Sequence, residues 1–456
     1  MPPDLGRLLL RCGTSLYTFF TFCTSICTAT KQHADYDRPL NIPPPEEEIE
    51  EQIEAFISSI TDEAVCSLAS RFQGGRLCKI TGRSRGSFNV CFFVRFDDDV
   101  EWTVRVPLEP VVHNVWAKLQ SEVATIRYLQ RKTTIPVPHI REYGTADLFP
   151  GGPQAFIIYE YISGQPLKME SLANASEAER NQLYSDLVDV LAQLHSLKFA
   201  TSGSLMPASN DAEPRVDAIL SMSANELHRS YPKQRTVLGD FKSSGQYLSY
   251  QCDLLRQSCR LPVIGLSEMA AQRELFAFES VRQRLQDLPE SHGPFVLAHL
   301  DLRYSNILID GFRIKGIIDW EFAAVIPEYL FTPPSWLTGH DFEAVARYGY
   351  SSLIPHKILY TEFLQTLDIK CSSSGQCADL KKNWESQPRF AFPIAQILRD
   401  HSRLDYIYFK FMFPELFNGD INDEVAKFFD NCEDALKQDL QKRLEWSKVY
   451  AQHFGE

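Results

Sequence analysis

The apolar positions of the chain follow a helical period in its first folded segment and a strand period just after it. Four glutamates lie within 46–50, directly after three prolines, and Ile49, Ile53 and Ile57 recur at steps of four, which predicts an amphipathic helix. Two strand-like runs follow, joined across three aspartates, which predicts a β-hairpin over 89–106. A helical pattern that begins at Trp116 is expected to lay one face on this sheet.

The rest of the chain predicts a second, mainly helical unit. In order, the predicted elements are a buried strand at 155–162, a long helix opened by the capping box of Ser176 and Glu179, an irregular polar stretch with helical fragments at 201–267, a helix around 275–285, and aromatic-rich helices at 392–417. We interpret the aromatic residues of the last segment as core rather than as a substrate cage, because they recur at helical steps.

Composition narrows the class of protein. Of the 456 residues, 44% are hydrophobic and 23% are charged, which is typical of a globular protein with more than one packed unit. The formal net charge of −13 argues against a nucleic-acid partner, because such proteins present a basic surface to phosphates. It is compatible with a cationic small-molecule acceptor and, more simply, with plain solubility. The 11 cysteines lack any Cys-x-x-Cys spacing, so neither a disulfide framework nor a zinc site is expected.

One motif carries most of the chemical information. A short apolar strand leads into the pattern His-x-Asp-x-x-x-x-Asn, which spans 299–306. Two apolar runs follow, separated by an Asp-Gly pair at 310–311, and the second run ends at Asp319. An Asp-Gly pair between apolar runs is a hairpin signal. Because a hairpin returns both of its ends to the same edge, we expect Asn306 and Asp319 to lie close together, beside Asp301.

Three oxygen-bearing side chains in this arrangement suit phosphoryl transfer, in which a protein mainly positions reactants and neutralises charge. Asp301 is the carboxylate that would orient an acceptor hydroxyl and take its proton. Asp319 and Asn306 are hard oxygen ligands of the kind that Mg²⁺ prefers. We expect His299 to brace the loop through backbone hydrogen bonds. Either aspartate alone is as typical of an ordinary turn, but the joint pattern is much more specific.

The motif resembles that of the aminoglycoside phosphotransferase and choline kinase-like family, in particular its fungal members of unknown function, and the resemblance extends over roughly 75–415. It implies an α+β, protein-kinase-like fold of two lobes. The N-terminal lobe would hold a small antiparallel sheet with one main helix, and the larger C-terminal lobe would be mostly helical. The resemblance makes Asp301 the catalytic base, with His299 and Arg303 beside it, and makes Asn306 and Asp319 ligands of Mg²⁺, with ATP as the phosphoryl donor.

The resemblance also implies a nucleotide side. The expected contacts are Gly82, Gly86 and Ser87 in a phosphate-covering loop, Arg105 with its acidic partner Glu122, and the hinge residues Glu160, Tyr161 and Ile162. Arg105 stands where kinases carry a phosphate-holding lysine, and its guanidinium also suits phosphate. Each feature has a plainer interpretation: two glycines are typical of a turn, Glu122 of a solvated helix surface, and the hinge of a core strand.

For the acceptor side we expect Arg303, Trp336, Asp341 and Glu343 to line a pocket for a small-molecule hydroxyl acceptor, with packing as the alternative for Trp336. Trp320 and Glu321 replace the Phe-Gly of protein kinases, and no Ala-Pro-Glu follows at the proper distance, which points away from that class. The remaining alternative is a non-catalytic kinase-fold binding protein, suggested by Arg105 and the glycine-poor loop. The polar groups kept at the hairpin edge favour the phosphotransferase.

We divide the chain into an N-terminal arm at 1–42, an N-terminal lobe with leading helices at 43–163, and a C-terminal lobe at 164–456 with a variable helical insert near 201–267. Positions 5–34 contain basic residues and no acid, which fits a transit peptide, a short signal segment or a disordered arm. The apolar run is too short for a membrane span, so no membrane association is expected. Because the expected reaction uses ATP, we expect an intracellular, cytoplasmic location, with mitochondrial targeting by the N-terminal arm as the alternative.

Overall fold

The structure, a computed structural model, describes six stretches of the chain. They are 44–148, 152–208, 213–230, 239–338, 353–372 and 375–454. The arm at 1–42 and the acceptor-side candidates Asp341 and Glu343 lie outside these stretches. Within them, no helix has both the length and the apolar character needed to cross a membrane.

A five-stranded antiparallel sheet forms the body of the first lobe, in the order β1-β2-β3-β5-β4. The strands are β1 Cys78–Arg85, β2 Asn89–Phe96, β3 Glu101–Pro107, β4 Ile140–Ala146 and β5 Gln154–Glu160. The predicted hairpin is confirmed, because β2 and β3 pair without interruption from Asn89 opposite Pro107 to Arg95 opposite Glu101. Alternate residues of β2, including Phe92 and Val94, are buried, as the two-residue period of a strand requires.

Two helices cover one face of this sheet: α1 Glu46–Ser59 and α2 Asp62–Phe72. The predicted helix after the prolines is confirmed, and its first turn carries three glutamates, which complement the positive end of the helix dipole. Ile53 of α1 and Leu68 of α2 are buried with Phe92 of the sheet in one apolar core. Burial of this apolar surface therefore fixes the outer face of the first lobe.

Helix α3, Val115–Lys132, lies on the other face of the sheet and is buried on almost every side. Its apolar residues, such as Leu119 and Val123, share a core with the second lobe as well as with the sheet. The predicted face of α3 on the sheet is confirmed for Leu119, Val123 and Ile126, which are buried. Trp116 lies at the edge of this face, because it is 42% exposed and stacks on Tyr143 of β4. Since both lobes enclose α3, its polar residues Lys118 and Glu122 are also buried.

The second lobe is mainly helical. Its helices are α4 Met169–Asn174, α5 Glu177–Ser196, α6 Met222–Ser230, α7 Ser244–Ser258, α8 Glu268–Leu285, α9 Leu353–Cys371, α10 Gly375–Glu385, α11 Ala391–Arg399, α12 Leu404–Ile407, α13 Phe413–Leu416, α14 Ile421–Asn431 and α15 Asp434–Phe454. The capping box of α5 is confirmed. The aromatic-rich segment near 392–417 contributes mainly core residues, as expected. The stretch 201–267 is more regular than expected, because Tyr247, Leu248 and Leu255 of α7 pack into the same core.

Short strands in the second lobe position the candidate site. They are β6 Gln165–Pro166, β7 Lys198–Phe199, β8 Ser204–Met206, β9 Arg215–Asp217, β10 Phe295–Ala298, β11 Ile307–Asp310, β12 Arg313–Ile317 and β13 Ala324–Pro327. The predicted hairpin of β11 and β12 is confirmed, but its turn lies one residue later, because Asp310 pairs with Arg313. Gly311 opens the turn with a φ of 52°, in the left-handed region that favours glycine.

Candidate active site

His299 ties the loop after β10 to the strand that leads to Asp319. Its Nδ1 accepts a hydrogen bond from the backbone N–H of Asp301 at 3.2 Å, so the ring proton lies on Nε2, which donates to the carbonyl oxygen of Ile318 at 2.9 Å. Burial lowers the pKa of His299, which keeps the ring neutral. Both ring nitrogens are engaged with the backbone, and His299 therefore acts as a brace of the loop.

Asn306 lies against Asp301. Its Nδ2 donates to the backbone oxygen of Asp301 at 2.8 Å and to the carboxylate Oδ2 of the same residue at 3.2 Å. In a planar amide the oxygen is directed away from the nitrogen, so Oδ1 of Asn306 faces away from Asp301. No donor among the described residues bonds to that oxygen, which leaves it for another ligand.

The hairpin brings Asp319 to the same edge. The backbone N–H of Ile318 donates to the carbonyl oxygen of Asn306 at 3.0 Å, so Asp319 follows directly after a residue bonded to Asn306. Asp319 has a φ of 68°, a left-handed conformation that aspartate tolerates better than most residues. Burial raises the pKa of its carboxyl, and the nearby negative charges of Glu321 and Asp301 act in the same direction. The structure thus gathers the three oxygen-bearing side chains of the motif.

Arg303 forms an ion pair with the carboxylate of Asp301. Its Nε lies 2.9 Å from Oδ1 and 3.1 Å from Oδ2, and its Nη2 lies 2.8 Å from Oδ1. A guanidinium in this geometry fixes the orientation of a carboxylate. Sequence reasoning placed Arg303 both beside Asp301 and along an acceptor pocket, and the structure makes it a direct partner of Asp301. The carboxylate of Asp301 remains 26% exposed and so stays accessible from the cleft.

Arg105 joins the two lobes from the third strand of the sheet. Its guanidinium contacts Glu122 of α3 and Asp319 of the second lobe, and it lies 3.3 Å from Glu321. The hydroxyl of Tyr159 donates to Glu122 at 2.8 Å. Glu122 is therefore the acidic partner of Arg105 and not a solvated surface acid.

Lys118 is a second buried cation of the site, and sequence reasoning missed it. Its Nζ contacts Glu321 and lies 3.2 Å from Oδ1 of Asn89, while Nδ2 of Asn89 donates to Glu321 at 2.8 Å. Only 3% of Lys118 is exposed. The sequence did contain one signal for this role of Lys118. Lys118 lies four residues before Glu122, and residues four positions apart lie on the same face of a helix.

The buried charges fit a divalent cation. Three carboxylates of this cluster, Glu122, Asp319 and Glu321, face two cations, Arg105 and Lys118. Burial raises the pKa of Glu122 and of Asp319, whereas the positive charges of Lys118 and Arg105 lower the pKa of Glu321. Within the described stretches, no group of three or more His, Cys, Asp or Glu side chains forms a complete metal site. An incomplete set of protein oxygens suits Mg²⁺, which takes few protein oxygens together with phosphate oxygens and water.

The turn between β1 and β2 is shorter than the predicted phosphate-covering loop. Gly82 lies within β1, opposite Phe93, because β1 continues to Arg85. The prediction that Gly82 belongs to the loop is therefore wrong, and only residues 86–88, with Gly86 and Ser87, form the turn. The ring of Phe88 at its tip lies 5.1 Å from the ring of Phe322, three residues beyond Asp319.

The hinge candidates lie where β5 leaves the sheet. The side chain of Glu160 pairs with Arg141, and the N–H of Tyr161 donates to the carbonyl oxygen of Glu101 at 3.0 Å. Ile162 packs on Gly316 of β12, where an added Cβ would lie 2.8 Å from Ile162. No acceptor among the described residues bonds to the N–H of Ile162.

Trp336 belongs to the core rather than to an acceptor pocket. It is 1% exposed, and its indole N–H donates to the carbonyl oxygen of Leu302 at 3.0 Å. This bond supports the backbone of the loop that carries Asp301 and Arg303.

These features define a kinase-like two-lobe fold. The first lobe is an antiparallel sheet whose third strand carries a cation paired with the main helix, and the second lobe is helical and carries the Asp-Asn-Asp site. The family model described as the phosphotransferase enzyme family matches residues 79–329, more than half of the chain, and the chain belongs to this family. It is also 26% identical over 245 residues to clavilactone A biosynthesis cluster protein Y of Ampulloclitocybe clavipes, with 50% of this chain and 56% of that protein covered.

The chain is also similar to a second fungal protein and to solved phosphotransferase structures. A subtelomeric hrmA-associated cluster protein of Aspergillus fumigatus is 26% identical over 298 residues, which cover 54% of this chain and 58% of that protein. The chain thus spans little more than half the length of these curated relatives. Among solved structures, macrolide 2′-phosphotransferase MphH of Brachybacterium faecium is 18% identical with a TM-score of 0.41, covering 81% of this chain and 99% of that one. Aminoglycoside phosphotransferase APH(4)-Ia is 13% identical with a TM-score of 0.43, covering 84% and 99%.

Proposed function

We propose that the chain transfers the γ-phosphoryl group of ATP, in a Mg²⁺-dependent reaction, to a hydroxyl group of a small molecule. The proposal is carried by the gathering of Asp301, Asn306 and Asp319 at one hairpin edge, where His299 fixes the loop. Membership of the phosphotransferase family supports the same reaction class.

In this proposal Asp301 orients the acceptor hydroxyl and takes its proton during transfer. Arg303 holds the carboxylate in one orientation, and Asn306 donates to it from the other side. The carboxylate is fixed before the acceptor arrives, so little reorganisation is needed when transfer begins.

Oδ1 of Asn306 and the carboxylate of Asp319 would hold Mg²⁺. When bound, the metal ion would neutralise charge on the phosphate oxygens. Arg105 is the nearest cation to Asp319, and its planar guanidinium group can bind phosphate as well as carboxylate. We therefore assign Arg105 to the phosphates of the bound nucleotide. The unpaired N–H of Ile162 is our candidate for the contact with adenine.

Two variants of the full-length chain test this proposal. Thermal unfolding is measured with ATP, with and without Mg²⁺, and ATP turnover is followed against a panel of small alcohols, sugars and aminoglycosides. Asp319→Asn is expected to lose the magnesium-dependent part of the stabilisation by ATP. Asp301→Ala is expected to keep that stabilisation and to lose turnover, because only acceptor orientation and proton removal are affected.

The second candidate is a kinase-fold protein that binds without transferring phosphate. It is favoured by the direct contact of Arg105 with Asp319 and by the packing of Phe88 on Phe322, which together narrow the cleft. Equal ATP turnover in the wild-type chain and in Asp301→Ala, or an absence of any magnesium-dependent stabilisation by ATP, would decide for this candidate.

A further inference from the structure

A small cavity lies in the second lobe directly beside Asp301. Its volume is about 20 Å³, and its lining includes Leu300, which precedes Asp301, and Phe322, which follows Asp319 by three residues. Tyr247 and Gln251 of α7 and Arg399 at the end of α11 form its polar part, and the remaining wall is mostly apolar. Neither the β1–β2 turn nor the hinge lines it, and Leu300 and Phe322 connect it to the segments that hold Asp301 and Asp319.

Arg399 forms no ion pair with a carboxylate among the described residues, and the negative charge of Asp301 acts on it only from a distance. Its Nη2 lies 3.3 Å from the hydroxyl oxygen of Thr332, and the described residues place no carboxylate within 4 Å of its guanidinium. Burial lowers the pKa of Arg399 to about 10, a sign that its charged form is poorly solvated. By contrast, Arg180 binds Glu362 and Arg443 binds Glu274 in the same lobe.

Oε1 of Gln251 is a second polar atom at the cavity that lacks a partner, although the Gln251 side chain also hydrogen-bonds to Tyr247. Gln251 is 1% exposed, and its Oε1 accepts no hydrogen bond from the described residues. A buried polar atom without a partner destabilises the fold, and so does a poorly solvated cation that no carboxylate contacts directly. Two such groups on one cavity, next to the proposed catalytic base, are complementary to a ligand that offers an anion and a hydrogen-bond donor.

We propose that the acceptor carries a carboxylate or a similar anionic group, which Arg399 binds in this cavity, on a largely apolar body. The inference rests on the proposed function, since it names the class of molecule that Asp301 would serve. A guanidinium binds a carboxylate through two parallel hydrogen bonds, and Gln251 accepts a bond from an O–H or N–H of the ligand. The cavity has room for about one water-sized group. In this proposal it binds the anionic end of the acceptor, and the rest of the acceptor extends towards Asp301.

This inference opposes the cationic acceptor that the net charge of the chain suggested. An ammonium group next to Arg399 would meet a like charge in a poorly solvated site, where repulsion is much stronger than in water. The surface as a whole is acidic, but the cavity beside Asp301 has the opposite sign. Local charge is the better guide to the acceptor, because only residues that line the cavity meet it.

Three matched probes test the inference by direct binding to the full-length chain: 6-hydroxyhexanoate, 6-hydroxyhexanamide and 6-aminohexan-1-ol. They share a methylene body and a primary hydroxyl and differ in the charge of the far end. We expect the carboxylate to bind about tenfold or more tightly than the amide, and the amine to bind most weakly. In Arg399→Met the preference for the carboxylate should vanish, and in Arg389→Met, which removes an exposed arginine, it should persist.

Binding is measured without ATP, so the result does not depend on turnover. A preference for carboxylate that requires Arg399 would stand even if Asp301→Ala proved the proposed reaction wrong. If the amine or the amide binds as tightly as the carboxylate, or if Arg399→Met keeps the preference, the inference is wrong.

Unfolding of the ligand-free chain gives a second readout that a structural role would move in the opposite direction. Because Arg399 lacks a carboxylate partner, Arg399→Met should raise the melting temperature slightly, by roughly 1–3 °C. A melting temperature several degrees lower would mean that Arg399 holds the fold together, which would overturn its assignment to a ligand.

Discussion

Lys118 links three parts of the molecule through one ammonium group. It reaches Asn89 at the start of β2 and Glu321 in the second lobe, and it belongs to α3. Because it is almost fully buried, its removal leaves the carboxylate of Glu321 short of counter-charge. Breaking a buried pair from one side is much more costly than removing an exposed one.

We expect Lys118→Met to lower the free energy of unfolding by about 3 kcal/mol. Lys427→Met removes an exposed lysine that pairs with Glu424 on the surface, and it should change stability by less than about 0.5 kcal/mol. Both values follow from urea unfolding at neutral pH. Adding Glu321→Gln to Lys118→Met should recover part of the loss. Equal stabilities of the two lysine variants would show that the contact with Glu321 is not formed.

Single residues differ in how far the sequence alone could reveal them. Asp301, Asn306 and Asp319 were identified because a short motif and one hairpin determine their neighbours. Lys118, Gln251 and Arg399 were missed, because their importance arises from elements that are far apart in sequence. A lysine on a helix that is enclosed by both lobes looks the same in the sequence as a lysine on a solvated helix.

At the scale of elements, the β11–β12 hairpin determines whether Asn306 and Asp319 meet. Its turn requires a left-handed residue, and Gly311 supplies it with open space around the missing Cβ. Any effect of a larger side chain there therefore comes from backbone conformation and not from a clash.

Gly311→Ala is expected to destabilise the chain by about 1–2 kcal/mol, since a left-handed conformation is unfavourable for alanine, and Gly311→Asn should cost less. Gly375→Ala is the matched control, because Gly375 has open space, no positive φ and a place at the start of α10, where alanine favours the helix. Thermal unfolding of the three variants provides the comparison. If Gly311→Ala were as stable as Gly375→Ala, the turn would not have the conformation described.

Glu328 connects the end of α5 to the segment after β13. Its carboxylate lies 2.9 Å from the ring of His195 and 2.6 Å from Nζ of Lys198, and these partners lower the pKa of Glu328 from 4.5 to about 2. A carboxyl with a lowered pKa stabilises the fold above its unfolded pKa of 4.5 and loses that contribution as the pH falls towards 2.

We therefore expect Glu328→Gln to be less stable than the wild type by about 1 kcal/mol at pH 7, a value that allows for solvent screening of a partly exposed group. The difference should shrink steadily as the pH is lowered below about 4.5. Denaturant unfolding at several pH values measures it. A difference that is constant over this range would show that ionisation of Glu328 contributes nothing to stability.

The prediction of elements succeeded where the sequence pattern is local and was incomplete for the helix that the two lobes share. The hairpin of β2 and β3, the capping box of α5 and the hairpin of β11 and β12 depend on neighbours in sequence and were predicted. The face of α3 on the sheet was predicted, but its second packing surface was not, because the second lobe packs on it and buries polar positions as well. The glycine loop was placed too early, because β1 extends to Arg85.

At the scale of the whole molecule, buried charges hold the lobes together across the proposed nucleotide cleft. Arg105 and Lys118 from the first lobe contact Asp319 and Glu321 from the second. The cluster has one carboxylate more than it has cations, and Asp319 is the most exposed of its three acids. A divalent ion bound at Asp319 would offset this surplus negative charge, and in the proposed reaction Arg105 would exchange Asp319 for phosphate.

The most direct test is a crystal structure of the chain with Mn²⁺ and a non-hydrolysable ATP analogue, with the metal located by its anomalous scattering. The account predicts a metal ion bound at about 2.1 Å by Oδ1 of Asn306 and a carboxylate oxygen of Asp319, with Arg105 on the phosphates. A metal or nucleotide bound elsewhere, with the contact between Arg105 and Asp319 intact, would contradict it.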